Sequence, residues 1–539
     1  MPEFTAKQLI KRYDNLLLGR RYWEPHWQEI ADHLIPRKGN ITTTSTRGEK
    51  RHKNRFSSVG THSHEVLTAN LQGTLTSRSF RWFGLGLDEE DELNEQDDVR
   101  DWLHTSSRKM WRQLNASNFH SQAHEFYTDI TGFGTGMILL EEKEGRRRFN
   151  GVTFRTYPIE SYVFEEDSDG IPNAVGIRLA YTAAQAIDKF GKEILPDKIT
   201  MAFEEDPQKP WAFIHWIYPR RQRDKDKVDS LNMSFASAYV SMEGEKIVKE
   251  GGYNEFPAMI ARWTLSAGEK YGRGPGNTAL PDLKVLDKAT ELELNGWAKH
   301  IDPPWFMLDD GVIGKVNLKP GKGTVLRDKD ALWFYEWKGR PDIGRIKLDE
   351  LRATIKQTFF ADQLELPQSD RMTAEEIRTR IELMQRVLGP TLGRLETEFL
   401  NQLIERLFGI MSRAGALPPV PQELLEREEG EVEVKYTGPL ARSERIAEVN
   451  QVLRLVDLLA PLAQINPSVM DVLDTDESAR FMATELDIPE KLTRSQDVID
   501  EIRGARAEQQ QAQQAIEAGV SQSVVTKNLA QARMADAGG

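Results

Sequence analysis

From Ile377 to Leu403, apolar residues return every three or four positions: Ile377, Ile381, Met384, Leu388, Leu392, Leu395, Phe399 and Leu403. That period is the mark of a single helical face. Thr373 and Glu376 stand just ahead of it with the spacing of a capping box, so a helix is predicted to open at 373 and run to about residue 408. At 1.5 Å per residue this is a rod of roughly 54 Å. Whatever the chain folds into has to house that rod. Gly389 and Pro390 fall in its middle, where a proline removes one backbone bond and bends the axis.

The remainder reads as helices around a strand-rich middle. Thr5 and Gln8 have capping-box spacing ahead of a helix over 5–20, and Pro25 opens a second that Pro36 closes. Between Arg37 and Arg55 seven Lys/Arg face one Glu, a local net of +6, in a Thr-rich loop that is either solvated or makes an electrostatic contact. Helical patterns follow at 62–78 and about 99–131, on either side of the acidic run "DEEDELNEQDD". From 137 to 250 the pattern changes to short apolar or alternating runs such as "GMILLEE", "WAFIHWIYP" and "FASAYVSME", which predict strands with one helix, "TAAQAIDKFG", among them. Helices return at 281–300 and 348–364, with a Gly/Pro-punctuated β-rich insert between them. The fold class is therefore α+β, mainly helical. At 539 residues the length suits three or four domains.

Composition narrows the chemistry. There is no cysteine, which removes disulfides, thiolate nucleophiles and cysteine metal sites. The start, "MPEFTAKQLIKRY", has no apolar signal core, and no run nears the ~18 apolar residues of a membrane span, so residence in a reducing cytoplasm is expected. Net charge is −13, so any grip on nucleic acid has to be local or weak.

No site for catalysis emerges. Walker A needs Gly-Lys followed by Ser or Thr, and no such triplet occurs. "GRGPG" at 272–276 and "GFGTG" at 132–136 carry G-x-G-x-G, without the spacing or the strand-to-helix context of a dinucleotide fingerprint. Their glycines are read as tight turns with close backbone approach. His62, His64 and Glu65 lack H-E-x-x-H and are read as surface or core-edge residues, and the pairs Glu165–Glu166 and Asp309–Asp310 as solvated charge. No cofactor or metal is expected, and no enzymatic activity.

Several segments, in order along nearly the whole chain, resemble the portal, or head-to-tail connector, proteins of short-tailed bacteriophages. They are "RYWEPHWQEIADHLIPR", "GFGTGMILLEE", "YGRGPGNTALPDLKVLDKATEL", "RMTAEEIRTR", "YTGPLARSER" and "LDIPEKLTRSQDVIDEIRGARAEQQQ". The resemblance implies a wing at 1–277, a two-helix stem at 278–300 and 348–362, and a β-rich clip at 301–347. It also implies a channel loop at 363–372, the long kinked channel helix and return to the wing at 373–436, and a helical crown at 437–539, which in some members extends as a barrel. It implies a ring of twelve copies at one vertex of the virion capsid, assembled in the host cytoplasm. Double-stranded DNA would pass through it weakly and without sequence preference. Terminase, a tail adaptor, and the major capsid and scaffolding proteins would be its partners, with no membrane.

Site expectations follow from that mapping. Gly272, Gly274, Pro275, Gly276 and Pro281 are expected to form the joint between wing and stem, and Gln368, Ser369, Asp370 and Arg371 the polar tip of the channel loop. The clip is expected to dock partners through Trp305, Phe306, Lys315, Lys319, Lys322, Trp333, Tyr335, Trp337, Lys338 and Arg340, with alternate aromatics forming its small core. Two alternatives stay open: a packaging ATPase, which would need the absent P-loop, and a capsid or scaffold protein without a DNA channel.

Overall fold

A computed structural model of the chain describes residues 3–44, 46, 48–50, 55–79, 81–87, 97–143, 149–224, 227, 229–317, 323–334, 341–364, 388–425, 433–436, 449, 451–461, 472–485, 499, 502–506 and 509. Two compact units partition it: Met1–Asp88 with Trp102–Lys435, and Glu89–Asp101 with Tyr436–Gly539.

The first unit opens with α1 (Ala6–Arg20) and α2 (Glu24–His33). The capping box expected at α1 is present: the Gln8 amide donates to Thr5 Oγ1, and the Thr5 amide donates to Gln8 Oε1. Helix α3 (Val59–Leu75), strand β1 (Phe83–Gly86), α4 (Asp97–Ala116) and α5 (Phe119–Phe133) follow.

Two antiparallel sheets come next. One has the order β3-β2-β9, from β2 (Thr135–Glu142), β3 (Val152–Tyr157) and β9 (Ala258–Arg262). The other is a five-stranded meander of β4 (Tyr162–Glu166), β5 (Pro172–Thr182), β6 (Pro210–Pro219), β7 (Phe235–Ser241) and β8 (Lys246–Tyr253). Two helices rather than the expected one interrupt it, α6 (Ala183–Phe190) and α7 (Asp197–Glu205).

The meander separates two cores by the two-residue alternation of a strand. Ile214, Trp216 and Tyr218 of β6 point to the face covered by Leu9 and Tyr13 of α1. Trp211 and Phe213 of the same strand point to the opposite face, against Ala186 and Phe190 of α6 and Ile199 of α7. The Trp216 indole N–H is satisfied by the Leu9 carbonyl at 3.0 Å.

Helix α8 (Pro275–Ile301) leaves this body, and α9 (Pro341–Thr358) returns to it. The first half of α8 is buried at Ala279, Leu280, Leu283 and Leu286, while Leu292, Leu294, Trp297 and Ile301 of its second half are exposed. Between the helices lie two small antiparallel ribbons, β10 (Trp305–Met307) with β13 (Leu332–Phe334) and β11 (Val312–Ile313) with β12 (Val325–Leu326).

Three expectations need correction. Helix α8 begins at Pro275, six residues before the expected start, so Pro281 lies inside the helix rather than in its first turn. Helix α9 also starts early, and it ends at Thr358 instead of continuing to 364; Phe360, at φ 54°, turns the chain before a short α10 (Ala361–Leu364). The described part of the long helix is helical over 388–395, widens into a π-turn at Glu396–Leu400 and continues as α11 (Asn401–Arg413). Gly389 and Pro390 stand in helical backbone at the edge of the described stretch, so the bend expected there falls partly outside it. The strand foreseen in "EVEVKYTG" lies at Glu433–Tyr436. In the second unit the described residues include helical stretches at 451–461, 475–485 and 502–506, and Arg503 pairs with Asp476.

Candidate functional site

The two glycine-rich segments that fail as nucleotide loops pack against each other. Gly134 caps α5 with φ 85°, a left-handed value that favours glycine. The turn it makes lies against the turn from β9 into α8. A Cβ on Gly274 would stand 2.6 Å from the Ile130 carbonyl oxygen. One on Gly276 would overlap the Gly132 carbonyl, and one on Gly272 the Gly134 carbonyl. Amides that could cradle a phosphate are already engaged: Gly272 donates to Thr135 Oγ1 at 2.8 Å and Gly274 to Asn277 Oδ1 at 2.7 Å. Gly272, Gly274, Pro275 and Gly276 therefore sit where the body and α8 meet, backbone on backbone.

Further residues fasten the same helix. Asp287 of α8 is buried and accepts from the Phe56 and Ser57 amides at 3.1 and 3.0 Å, with His33 Nδ1 at 2.7 Å from its other oxygen. Gln28 holds the other end of the basic loop, its Oε1 accepting from the Ile41 and Thr42 amides. The loop's first charges are neutralised within the fold. Arg37 is paired with Glu125, and Lys38 lies 2.5 Å from buried Asp129 and 3.1 Å from Glu125. Burial pushes the Asp129 carboxyl above the usual range despite Lys38. At half-buried Glu125, Lys38 and Arg37 outweigh burial and hold it below. The +6 counted along the sequence thus overstates the charge this loop shows to solvent.

Of the "THSHE" histidines, read as surface or core-edge residues, His64 lies inside the core. His64 is buried, its Nε2 2.8 Å from Thr131 Oγ1, and burial lowers its pKa to about 3. Glu165 and Glu166 are not the solvated pair the sequence suggested: Glu165 is bonded by Arg12 and Glu166 by Arg262. Among the described residues no group of three or more His, Asp or Glu could hold a metal, and no helix is long and apolar enough to cross a membrane.

Two buried arginines tie the long helix to the body. Arg262, at the end of β9, donates its backbone and side-chain N–H groups to Glu398 of the π-turn. Arg406 of α11 donates Nε to the Leu140 carbonyl at 3.0 Å and Nη1 to the Glu255 carbonyl at 2.9 Å. Desolvation lowers the Arg406 pKa to about 10 even beside the Glu255 carboxylate. Sequence reading missed Asp287, Glu398, Arg262 and Arg406. The available signal was a lone charge inside or beside an apolar stripe, as at Asp287 between Leu283 and Leu294.

The insert between α8 and α9 looks different. Phe306 and Trp333 stack with ring centroids 5.7 Å apart, and Trp305, Phe306, Trp333 and Phe334 are each at least 41% exposed. Among the described residues the alternation that would bury every second aromatic is absent. Lys315 is exposed. Lys319, Lys322, Tyr335, Trp337, Lys338 and Arg340 lie outside the described residues, as do Gln368, Ser369, Asp370 and Arg371.

A family model of bacteriophage head to tail connecting proteins matches residues 6–493. The chain belongs to that family. Curated relatives extend the match. The chain is 31% identical over 528 residues to a probable portal protein of Bordetella phage BPP-1, covering 95% of this chain and 93% of that protein. It is 26% identical to the portal protein of Salmonella phage epsilon15, covering 99% and 97%, and 21% identical to that of Enterobacteria phage T3, covering 77% and 76%. Among head-to-tail connecting proteins, then, these relatives align over most of their length, the joint and the insert included.

Proposed function

We infer that the chain is the portal subunit of a tailed phage: copies close into a ring at one capsid vertex, and the ring is the conduit for DNA entering and leaving the head. The observation that carries this is the family match across residues 6–493, reinforced by portal relatives aligned over nearly their full length. In this reading α8 and α9 are the stem, residues 301–347 the clip, and residues 363–372 the channel loop, whose polar tip is Gln368, Ser369, Asp370 and Arg371. The ring holds twelve copies. Terminase and later the tail adaptor dock at the clip, and capsid and scaffolding proteins surround the body.

The chemistry asked of such a ring is mild. Each phosphate neutralised by a cation releases counterions and adds affinity, hence friction against DNA movement. In this reading the net charge of −13 per chain keeps that friction low. Arg371 supplies one cation per copy for backbone contact without a base code. The work of the site is positioning, with no bond made or broken.

Negative-stain images of the purified chain test the reading directly. Closed rings with a central hole are expected. Monomers, open filaments or shells without a hole would overturn it.

A further inference from the structure

We propose that Arg262 and Glu398 are positioning residues for the channel helix: their ion pair fixes the π-turn, and so the direction in which residues 388–395 run. The proposal rests on the portal reading above and adds to it the element that aims the helix.

The first observation is the π-turn itself. Such turns are rare and occur mostly as single-turn bulges inside α-helices, frequently at functional sites. Here the reason is visible in the apolar stripe. Leu388, Leu392 and Leu395 form one buried row, and Leu403, Ile404, Leu407 and Met411 form another. On a regular helix the two rows would be about 100° out of phase, which is one residue's rotation. The wide turn at Glu396–Leu400 absorbs that residue, so both rows face the body.

The second observation is what fills the turn. Glu398 Oε2 accepts the Arg262 backbone N–H at 2.9 Å and Nε at 3.3 Å, and Oε1 accepts Nη2 at 2.7 Å. The remaining guanidinium contacts go to Glu166 and to the Gly170 and Lys270 carbonyls. Arg262 is 2% exposed, and every nitrogen of its side chain is engaged. A buried ion pair is a weak source of net stability compared with apolar residues of the same size, and its best-attested use is to specify one register over another. Glu398 is also met from the upstream side by Arg394, at 3.8 Å.

The third observation is the contrast on either side of the turn. Downstream, α11 is separately fastened through Arg406 and through Arg413, which pairs with Glu255 at 2.8 Å. Upstream, Gly389 and Gly393 face open space. Glu398 thus lies between the fastened α11 and these two glycines.

The chain has no cysteine, so one introduced thiol is a unique labelling site. Spin labels at Gly393→Cys and, as control, at Ser412→Cys report distances between copies in assembled full-length rings. Glu398→Gln is expected to leave ring assembly and the Ser412 distances unchanged while the Gly393 peak between adjacent copies broadens and is lost. Arg262→Lys, which keeps the charge without the fork, is expected to restore part of that peak relative to Arg262→Gln. An unchanged Gly393 peak in Glu398→Gln, or equal broadening at both labels, would overturn the proposal. So would failure of both Glu398→Gln and Arg262→Lys to assemble, since the pair would then be a folding determinant only. If the parent labelled chains form no ring, the portal reading itself fails and takes this proposal with it.

Discussion

Helix α8 belongs to two environments. Its first three turns lie against α2, α3 and α5, with Gly276 and Gly60 so tightly placed that a side chain would strike a backbone carbonyl or Leu283. Its last three turns carry Leu294, Trp297 and Ile301 into solvent and lead to ribbons whose aromatics are all half exposed. The near end is complete within one chain. The far end is not, because a two-stranded ribbon buries too little apolar surface to be stable alone. The same helix therefore serves as a fixed root and as an unfinished surface, a division that suits a subunit built to be closed by its neighbours.

The largest effect is expected at the root. Gly276→Ala sets a methyl against the Gly132 carbonyl, a backbone atom that cannot swing aside. The cost is expected to be roughly 3 kcal/mol or more, seen as a lower thermal midpoint or loss of soluble chain. Gly19→Ala in α1 is the matched control, since a Cβ there meets nothing within 4 Å. It is expected to be neutral or to stabilise by up to about 1 kcal/mol through helix propensity. Equal outcomes for the two would dissolve the claim that the root is locked by backbone contact.

A smaller, pH-dependent effect is confined to the body. Burial lowers the pKa of both His64 and His215 to about 3, with Lys38 and Arg37 adding to the effect at His64 and Lys189 and Lys249 at His215. Unfolded, each titrates near 6.5. Between these values the unfolded chain binds more protons, so stability is full above about pH 6.5 and falls as pH drops toward 3. Each histidine is expected to cost on the order of a few kcal/mol across that interval. Thermal midpoints of His64→Gln and His215→Gln, read from pH 7 to pH 4, should fall less steeply than the parent's. Parallel slopes would refute it.

How legible this was depended on where each constraint originates. The capping box of Thr5 and Gln8, the strands of the meander and the long apolar stripe are local patterns, and they stood out. Strand β9, five residues of "AMIAR", and helix α7 carried too short a pattern to register, and they exist because neighbouring strands and the sheet face complete them. The π-turn was invisible because Phe399 continues the upstream row while Leu400 begins the downstream one, and only three-dimensional packing reveals the change of phase. The glycines were noticed twice in separate segments, but that they meet each other is a fact of topology: β2 pairs β9, bringing Gly134 and Gly272 together. Residue spacing alone could not tell charges held by partners, such as Arg37 and Glu166, from charges in solvent.

The smallest effect on folding, paired with a large effect on assembly, is expected at the far end. Trp333 packs across the ribbon on Phe306 yet remains 48% exposed. Trp333→Ser removes a ring that is about half in solvent in the isolated chain, so stability is expected to fall by no more than about 1 kcal/mol. In a ring the same side chain would be covered by a neighbouring copy or a docked partner, where aromatic anchors dominate the energetics. Native mass spectrometry of the variant is expected to give fewer closed rings, or normal rings that fail to hold terminase. The two results would separate a ring contact from a docking contact. A variant that unfolds early while its rings and terminase binding stay normal would show the insert to be a small core of its own. The contrast between the two ends of α8 would then reduce to a difference in size.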